Sequence, residues 1–118
     1  MSEGVVATFA TNNVQNLFTF TGDGDVLKVA TLLCQLLHCT SAAQTEQCVA
    51  MATSVAAKAL GALSHGIAVG NPADFFIIEG RSAMELIAAP SSERTVLKLG
   101  RVVSMTSLSR KLFISDHL

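Results

Sequence analysis

The segment from Asp25 to about Leu37 constrains the fold most, because it is predicted to be a helix with one narrow polar stripe. The polar positions follow one another at spacings of 3, 4 and 3 residues, and the remaining side chains are apolar. Asp25 can cap the start of this helix. A helix of this kind is mostly buried and needs neighbours around most of its circumference. The stripe consists of Lys28, Thr31, Gln35 and His38.

The composition also indicates a surface that expects a neighbour. Half of the 118 residues are hydrophobic and 14% are charged, against about 25% charged residues in a typical soluble domain. The eight Lys and Arg residues are scattered and the net charge is −1, so neither nucleic acid nor a membrane surface is an expected partner. Three cysteines without a CxxC pair predict a reduced, cytoplasmic protein.

Further elements follow from hydrophobic patterns and capping residues. Val5–Ala10 is a β-branched and aromatic run that predicts a buried strand. A second helix is predicted from Ala42 to Leu60, with a capping box at Ser41 and Gln44 and a stop at Gly61. The later elements are a strand at 74–79, a helix at 82–88 opened by a capping box at Ser82 and Glu85, and strands at 95–99 and 102–104 around a type II′ turn at Gly100-Arg101.

Three stretches resemble the amidohydrolase superfamily. Residues 66–78 (GIAVGNPADFFII) are similar to the sequence G-x-x-x-G-x-x-A-D-h-h-h-h, where h is hydrophobic, that leads from the (β/α)₈ barrel into a small β-sandwich. Residues 96–103 (VLKLGRVV) resemble the closing hairpin of that sandwich. Residues 9–16 (FATNNVQN), followed by 22–27 (GDGDVL), are similar to the cytosine deaminase branch, which reads G-[TH]-D-[DN]-V-x-D-P-F before a glycine-containing loop and a helix.

The resemblance implies an α/β fold that contains the last strand and helices of the barrel, followed by part of the β-sandwich. Residues 1–64 would be the end of the barrel, 65–104 the sandwich strands and 105–118 a tail. A complete family member hydrolyses non-peptide C–N bonds in cyclic amidines with a divalent metal ion, zinc or iron. This chain resembles only the C-terminal portion, so we expect it to be inactive alone and to self-associate or bind the missing barrel half.

Asn12 occupies the position of the family's metal-binding Asp, which also helps to move the proton of the attacking water. A neutral amide cannot take up that proton, and it offers a metal only a weak carbonyl oxygen. The chain also contains no His-x-His pair. We therefore expect no intact catalytic, cofactor or metal site. Asn12 is either a loop residue of a degenerate site, which is the preferred interpretation, or a remaining contact to substrate or metal.

Cys34 and His38 are one helical turn apart, with Cys39 adjacent, and zinc ligands use this spacing. No third and fourth ligands are evident, and buried cysteine commonly packs as an apolar residue, so a metal site is not predicted. His65 and His117 are expected to be solvated.

Asp23 and Asp25 look like a carboxylate pair, but the capping role of Asp25 explains that residue without chemistry. Three interpretations of the whole chain remain open. It is a portion of an enzyme that acts only with the missing barrel strands, a non-catalytic interaction module, or an unrelated small α/β domain. The third interpretation predicts a compact monomer.

Overall fold

A computed structural model describes residues 4–113, which form four helices and a three-stranded antiparallel sheet in the order β1-β2-β3. The helices in this range fall short of the length and apolarity that a membrane span requires. Helices and a small sheet together confirm the predicted α/β class at this level, while the barrel and sandwich assignments stay predictions. The elements are α1 (Val26–Leu36), α2 (Ala42–Ala52), α3 (Ser54–Ala59), β1 (Phe75–Ile78), α4 (Ala83–Ala88), β2 (Arg94–Lys98) and β3 (Arg101–Thr106).

Helix α1 begins and ends at local signals in its own sequence. The Asp25 Oδ1 atom accepts a hydrogen bond from the Leu27 N–H at 3.0 Å, which confirms the predicted N-cap. At the other end, His38 adopts a left-handed conformation with φ of 51°. The Cys39 N–H then donates to the Cys34 carbonyl at 2.9 Å, which is the bond of a Schellman motif.

The prediction that α1 is mostly buried is wrong for this chain. Leu27, Ala30 and Cys34 are buried, but Leu32 and Leu36 are 54% and 68% exposed. The reason is that, among the elements within residues 4–113, α1 contacts only α2 and α4, and they leave Leu32 and Leu36 uncovered. The apolar side chains of α1 thus predict neighbours that residues 4–113 do not provide.

The predicted helix from Ala42 to Leu60 is two helices, because Thr53 adopts a non-helical conformation (φ −126°, ψ −97°) that interrupts the helix. The Thr53 hydroxyl donates to the Val49 carbonyl at 2.9 Å, a side-chain bond that competes with the helical ladder and bends helices. The capping box of Ser41 and Gln44 is present as predicted. Gly61, with φ of 70°, ends α3 as predicted.

The core lies where α1, α2 and α4 meet. Its buried members are Ala30, Cys34, Cys48 and Ile87, and Phe9 packs against them from the N-terminal segment. The Thr31 hydroxyl of α1 donates to the Ile87 carbonyl of α4 at 2.7 Å. Helix α4 therefore packs with the first two helices, although it lies between two strands in the sequence.

Val5–Ala10 forms no hydrogen-bonded strand within residues 4–113, which corrects the prediction of a buried strand. Val5 and Val6 are 67% and 50% exposed. A strand exists through the hydrogen bonds of a neighbouring strand, and the three strands of the described sheet pair only with one another. The residue pattern of Val5–Ala10 is that of a strand, but residues 4–113 supply no partner strand for it.

In the antiparallel sheet, β1 and β3 flank β2; α4 connects β1 to β2, and a tight turn connects β2 to β3. The turn between β2 and β3 lies one residue earlier than predicted. It consists of Leu99 and Gly100, between the paired residues Lys98 and Arg101. Leu99 and Gly100 both have positive φ, 49° and 75°, so the turn is of type I′ and not II′.

Only one of the two hydrogen bonds of the predicted capping box of α4 forms. The Ser82 hydroxyl accepts a hydrogen bond from the Glu85 N–H at 3.2 Å, as a capping box requires. The Glu85 carboxylate, however, accepts from the Arg81 N–H at 2.9 Å and not from Ser82. The sequence spacing thus found the N-cap correctly and misplaced the reciprocal bond by one residue.

Asp74 holds the turn between β2 and β3 against the start of β1. Its carboxylate pairs with Lys98 and accepts a hydrogen bond from the Leu99 N–H at 2.7 Å. The Lys98 ammonium group, followed by the Leu99 N–H, lowers the pKa of Asp74 below its usual value of 3.8. A lowered pKa means that the stabilisation is present above pH 3.8 and is lost as the pH falls through the folded-state pKa.

We expect Asp74→Asn to lower the Tm by at most a few degrees at pH 7 and to flatten the dependence of the Tm on pH below 4. The amide keeps one acceptor for Leu99 but has no charge for Lys98. Thermal unfolding of both proteins from pH 2.5 to 7 is the measurement. Glu79→Gln, which changes an exposed carboxylate without a side-chain hydrogen bond among the described residues, is the matched control. An equal pH dependence in Asp74→Asn and the parent would contradict this role.

Candidate functional site

The N-terminal segment presents one face to the helices, and none of residues 4–113 covers its other face, which is called the open face. From Val6 to Asn13 the exposure alternates along the chain, with Ala7, Phe9 and Thr11 partly buried and the residues between them exposed. This period of two is that of an extended chain. The Thr8 hydroxyl donates to the Met51 carbonyl at 2.6 Å and ties the segment to α2.

Asn12 lies at the end of this segment and is exposed. Its φ of 55° is in the left-handed region, which asparagine and aspartate tolerate better than most residues. No side-chain hydrogen bond holds Asn12 among the described residues. The Asn12 amide is therefore free to contact a molecule bound at the open face of the segment.

The loop that follows Asn12 is organised by its own hydrogen bonds. The Asn16 carboxamide oxygen accepts from the Phe18 and Thr19 N–H groups at 2.9 and 3.0 Å. These bonds turn the loop so that its large apolar side chains point outward, and Leu17, Phe18 and Phe20 are exposed. Between this loop and α1 lies a cavity of about 300 Å³ that Asn12 does not line.

Asp23 and Asp25 do not act as a carboxylate pair. Asp23 pairs with Lys28, and its carboxylate also accepts from the Asp25 N–H at 3.1 Å. The Lys28 hydrogen bond, followed by this backbone N–H, lowers the pKa of Asp23 below its usual value. Both carboxylates are thus occupied in shaping the start of α1, as expected for Asp25.

Arg94 connects the sheet to α1 through a charge pair that the sequence did not indicate. Its guanidinium group donates to both carboxylate oxygens of Asp25, at 2.8 and 2.6 Å. The two side chains are only 16% and 11% exposed. Arg94 also donates to the Ser91 carbonyl and lies 5.6 Å from the centre of the Phe76 ring. The two partners are 69 residues apart, so no local signal pointed to this contact.

The cysteines form a cluster in a combination that differs from the one considered in the sequence. The sulfur atoms of Cys34, Cys39 and Cys48 all lie within 4.8 Å of one another, and His38 is not part of the group. His38 instead closes the C-terminal end of α1. Burial, followed by hydrogen bonds with the Cys48 and Cys39 thiols, raises the pKa of Cys34 to about 12. Cys34 is therefore a neutral thiol at pH 7.

His65 is exposed, as predicted, and borders a cavity of about 410 Å³ between the end of α2 and β1. Asp74, Phe75 and Phe76 also line this cavity. The Asp74 carboxylate is already committed to Lys98 and Leu99, so the cavity contains no acid–base pair of evident use. His117 lies outside the described residues.

The chain is 34% identical over 101 residues to a pterin deaminase of Rhizobium rhizogenes, which covers 85% of the chain and 23% of that protein. Its fold matches that of 5-methylcytosine deaminase from Klebsiella pneumoniae. With 5-fluorocytosine bound to that enzyme, the TM-score is 0.81 at 21% identity, over 93% of this chain and 27% of the enzyme. With phosphonocytosine bound, the TM-score is 0.77 at 20% identity, over 92% of this chain and 27% of the enzyme.

No family model matches the chain. The two comparisons nevertheless confirm the resemblance predicted from the sequence, and the chain spans about a quarter of the proteins it matches.

Proposed function

Because the chain resembles about a quarter of a deaminase of the amidohydrolase superfamily, we propose that it is the C-terminal portion of such an enzyme. In this proposal it supplies the last barrel strand, the helices behind it and part of the small sheet domain. The chain is inactive by itself. The complete protein would hydrolyse the C–N bond of an amino group on a nitrogen heterocycle of the cytosine or pterin type.

The observation that carries this proposal is the N-terminal segment from Val6 to Asn13. Its alternate side chains pack on the helices and its other face is open, which is the arrangement of a barrel strand covered by helices on the outside. Active sites of such barrels lie at the carboxyl ends of the strands. Asn12 lies at that end of the segment.

The side chains near Asn12 do not fit the divalent metal of the family. Asn12 is neutral, and the three histidines of the chain, His38, His65 and His117, form no His-x-His pair. Hydrolytic deamination needs a carboxylate that takes the proton of the attacking water and returns it to the product. An amide cannot perform that transfer. The proposal therefore assigns Asn12 to a degenerate position that lines the site without moving protons.

A complementation experiment tests both parts of the proposal. The chain would be co-expressed with the part of the Rhizobium rhizogenes pterin deaminase that it does not match. We expect the two to co-purify, because the open face and the exposed leucines of α1 then gain neighbours. Failure to co-purify would contradict the assignment of the chain as a barrel portion.

Deamination of pterin and cytosine, followed as ammonia release, tests the role of position 12. Neither the lone parent chain nor lone Asn12→Asp is expected to be active. In the complex, Asn12→Asp is expected to exceed the parent rate by about 10²–10⁴-fold, the usual contribution of a positioned acid–base group. Asn13→Asp, which places a carboxylate one residue away, is the matched control. Chelator-sensitive turnover by the lone chain would overturn the proposal of an inactive portion.

The second candidate function is a non-catalytic interaction module, and the amide at position 12 is the observation that favours it. A module of this kind predicts a stable complex that stays inactive even with Asn12→Asp. The same experiment therefore separates the two candidates.

A further inference from the structure

The cysteine cluster is built by two backbone features that are independent of the open face. Cys34 is in the last turn of α1, and the hydrogen bond from the Cys39 N–H to its carbonyl, at 2.9 Å, folds Cys39 back onto the helix. Cys48 comes from the middle of α2, which packs against α1. All three cysteines of the chain thus meet at one place.

The spacing of the sulfurs is close to that of a metal thiolate site. A zinc–sulfur bond of about 2.3 Å puts the sulfurs of a tetrahedral or trigonal site about 3.8–4.0 Å apart. The observed separations of at most 4.8 Å require each sulfur to move by less than ~1 Å. Rotation of the Cys39 side chain, which is partly exposed, supplies part of that movement without disturbing the core.

The burial of the cysteines and the net charge of the site favour a divalent over a monovalent ion. Cys34 and Cys48 are buried, 6% and 3% exposed, among apolar side chains such as Ala30 and Ile87. Charge is costly in such a place. Three thiolates around a divalent ion leave a net charge of −1, whereas a monovalent ion leaves −2. The partial exposure of Cys39 allows water to complete a four-coordinate shell.

We propose that Cys34, Cys39 and Cys48 bind one thiophilic d¹⁰ divalent cation of the Zn²⁺ class. Each thiol loses its proton to solvent, three metal–sulfur bonds form, and no oxidation is involved. This site joins the end of α1 to α2. It contains neither Asn12 nor any other residue of the open face, so it does not depend on the proposed function.

Titration of the reduced chain with Cd²⁺ under anaerobic conditions tests this site, because cadmium thiolates absorb in the ultraviolet by sulfur-to-metal charge transfer. We expect an absorption that saturates at one Cd²⁺ per chain and a rise in Tm with added Zn²⁺. Cys39→Ser and Cys48→Ser should each weaken binding by about 100-fold or more, since even residues behind metal ligands contribute 10–100-fold. Met51→Leu, which changes a sulfur outside the cluster, should bind as the parent does.

Three results would overturn the proposal. They are no charge-transfer band at all, saturation at one ion for two chains, and unchanged binding in Cys39→Ser. Cys39 is the decisive position because it is only partly buried, and circular dichroism of that variant verifies that the helices remain.

Discussion

Replacing Arg94 with methionine is expected to lower the free energy of unfolding by about 3 kcal/mol, because it leaves the Asp25 carboxylate largely buried without its cation. Arg94 makes two short hydrogen bonds to that carboxylate and two contacts with the Ser91 carbonyl. Methionine keeps the apolar stem against Phe76 and removes the charge. Urea unfolding at a fixed chain concentration is the measurement, since association also contributes to stability.

A double-mutant cycle isolates the charge pair from the capping role of Asp25. Asn is as good an N-cap as Asp, so Asp25→Asn keeps the hydrogen bond to Leu27 and removes only the charge. We expect the double variant to cost clearly less than the sum of the two single variants. Arg101→Met is the matched control, because Arg101 is exposed on β3 and forms no salt bridge among residues 4–113. Equal losses in Arg94→Met and Arg101→Met would refute the importance of the pair.

The lone chain is expected to self-associate and not to persist as a well-packed monomer. It exposes 9387 Å² of surface, whereas a compact monomer of 12.4 kDa exposes about 6,100 Å². Each large apolar side chain left in water forfeits roughly 1.5–3 kcal/mol, and a whole domain is stable by only about 5–15 kcal/mol. The exposed set includes Leu17, Phe18, Phe20, Leu63, Ile67, Val69, Ile77 and Met105.

Size-exclusion chromatography with light scattering, at several chain concentrations, measures this association. We expect oligomers or aggregates, binding of a hydrophobic dye, and a broad thermal transition. Co-purification with the part of the pterin deaminase that this chain does not match should abolish dye binding, if that part covers the same side chains. A monodisperse monomer with a sharp transition and no dye binding would favour the independent small domain that the sequence left open as an interpretation.

The sequence predicted the parts of the fold that depend on bonds between residues three or four positions apart. Asp25, Ser41 and Ser82 cap their helices as expected, and Gly61 ends α3 with a positive φ. These signals hold because a capping bond needs only the side chain and the next turn of backbone. The break at Thr53 was not predicted, because the residues from Val49 to Ala57 include no Gly or Pro that would signal it.

For the candidate site, the sequence identified residue types but not their neighbours. It placed Asn12 at a position of chemical interest and grouped Cys34 with His38 and Cys39. In the structure, His38 ends α1 with a positive φ and is not part of the cysteine cluster, whereas Cys48 of α2 is. Helical periodicity describes one helix at a time, so it cannot state which thiol of another helix will face Cys34.

The sequence by itself thus determined where α1, α4 and the three strands of the sheet form, that Asp25, Ser41 and Ser82 cap their helices, and the likeness to an amidohydrolase-type deaminase. Tertiary structure alone decided that Arg94 meets Asp25 across 69 residues, that three thiols converge, and that Val5–Ala10 pairs with no strand within residues 4–113. The physical reason is that local bonds are set by adjacent residues, whereas ion pairs, thiol clusters and strand pairing depend on which surfaces the packed helices bring together. An extended segment becomes a strand only where another strand offers its N–H and C=O groups.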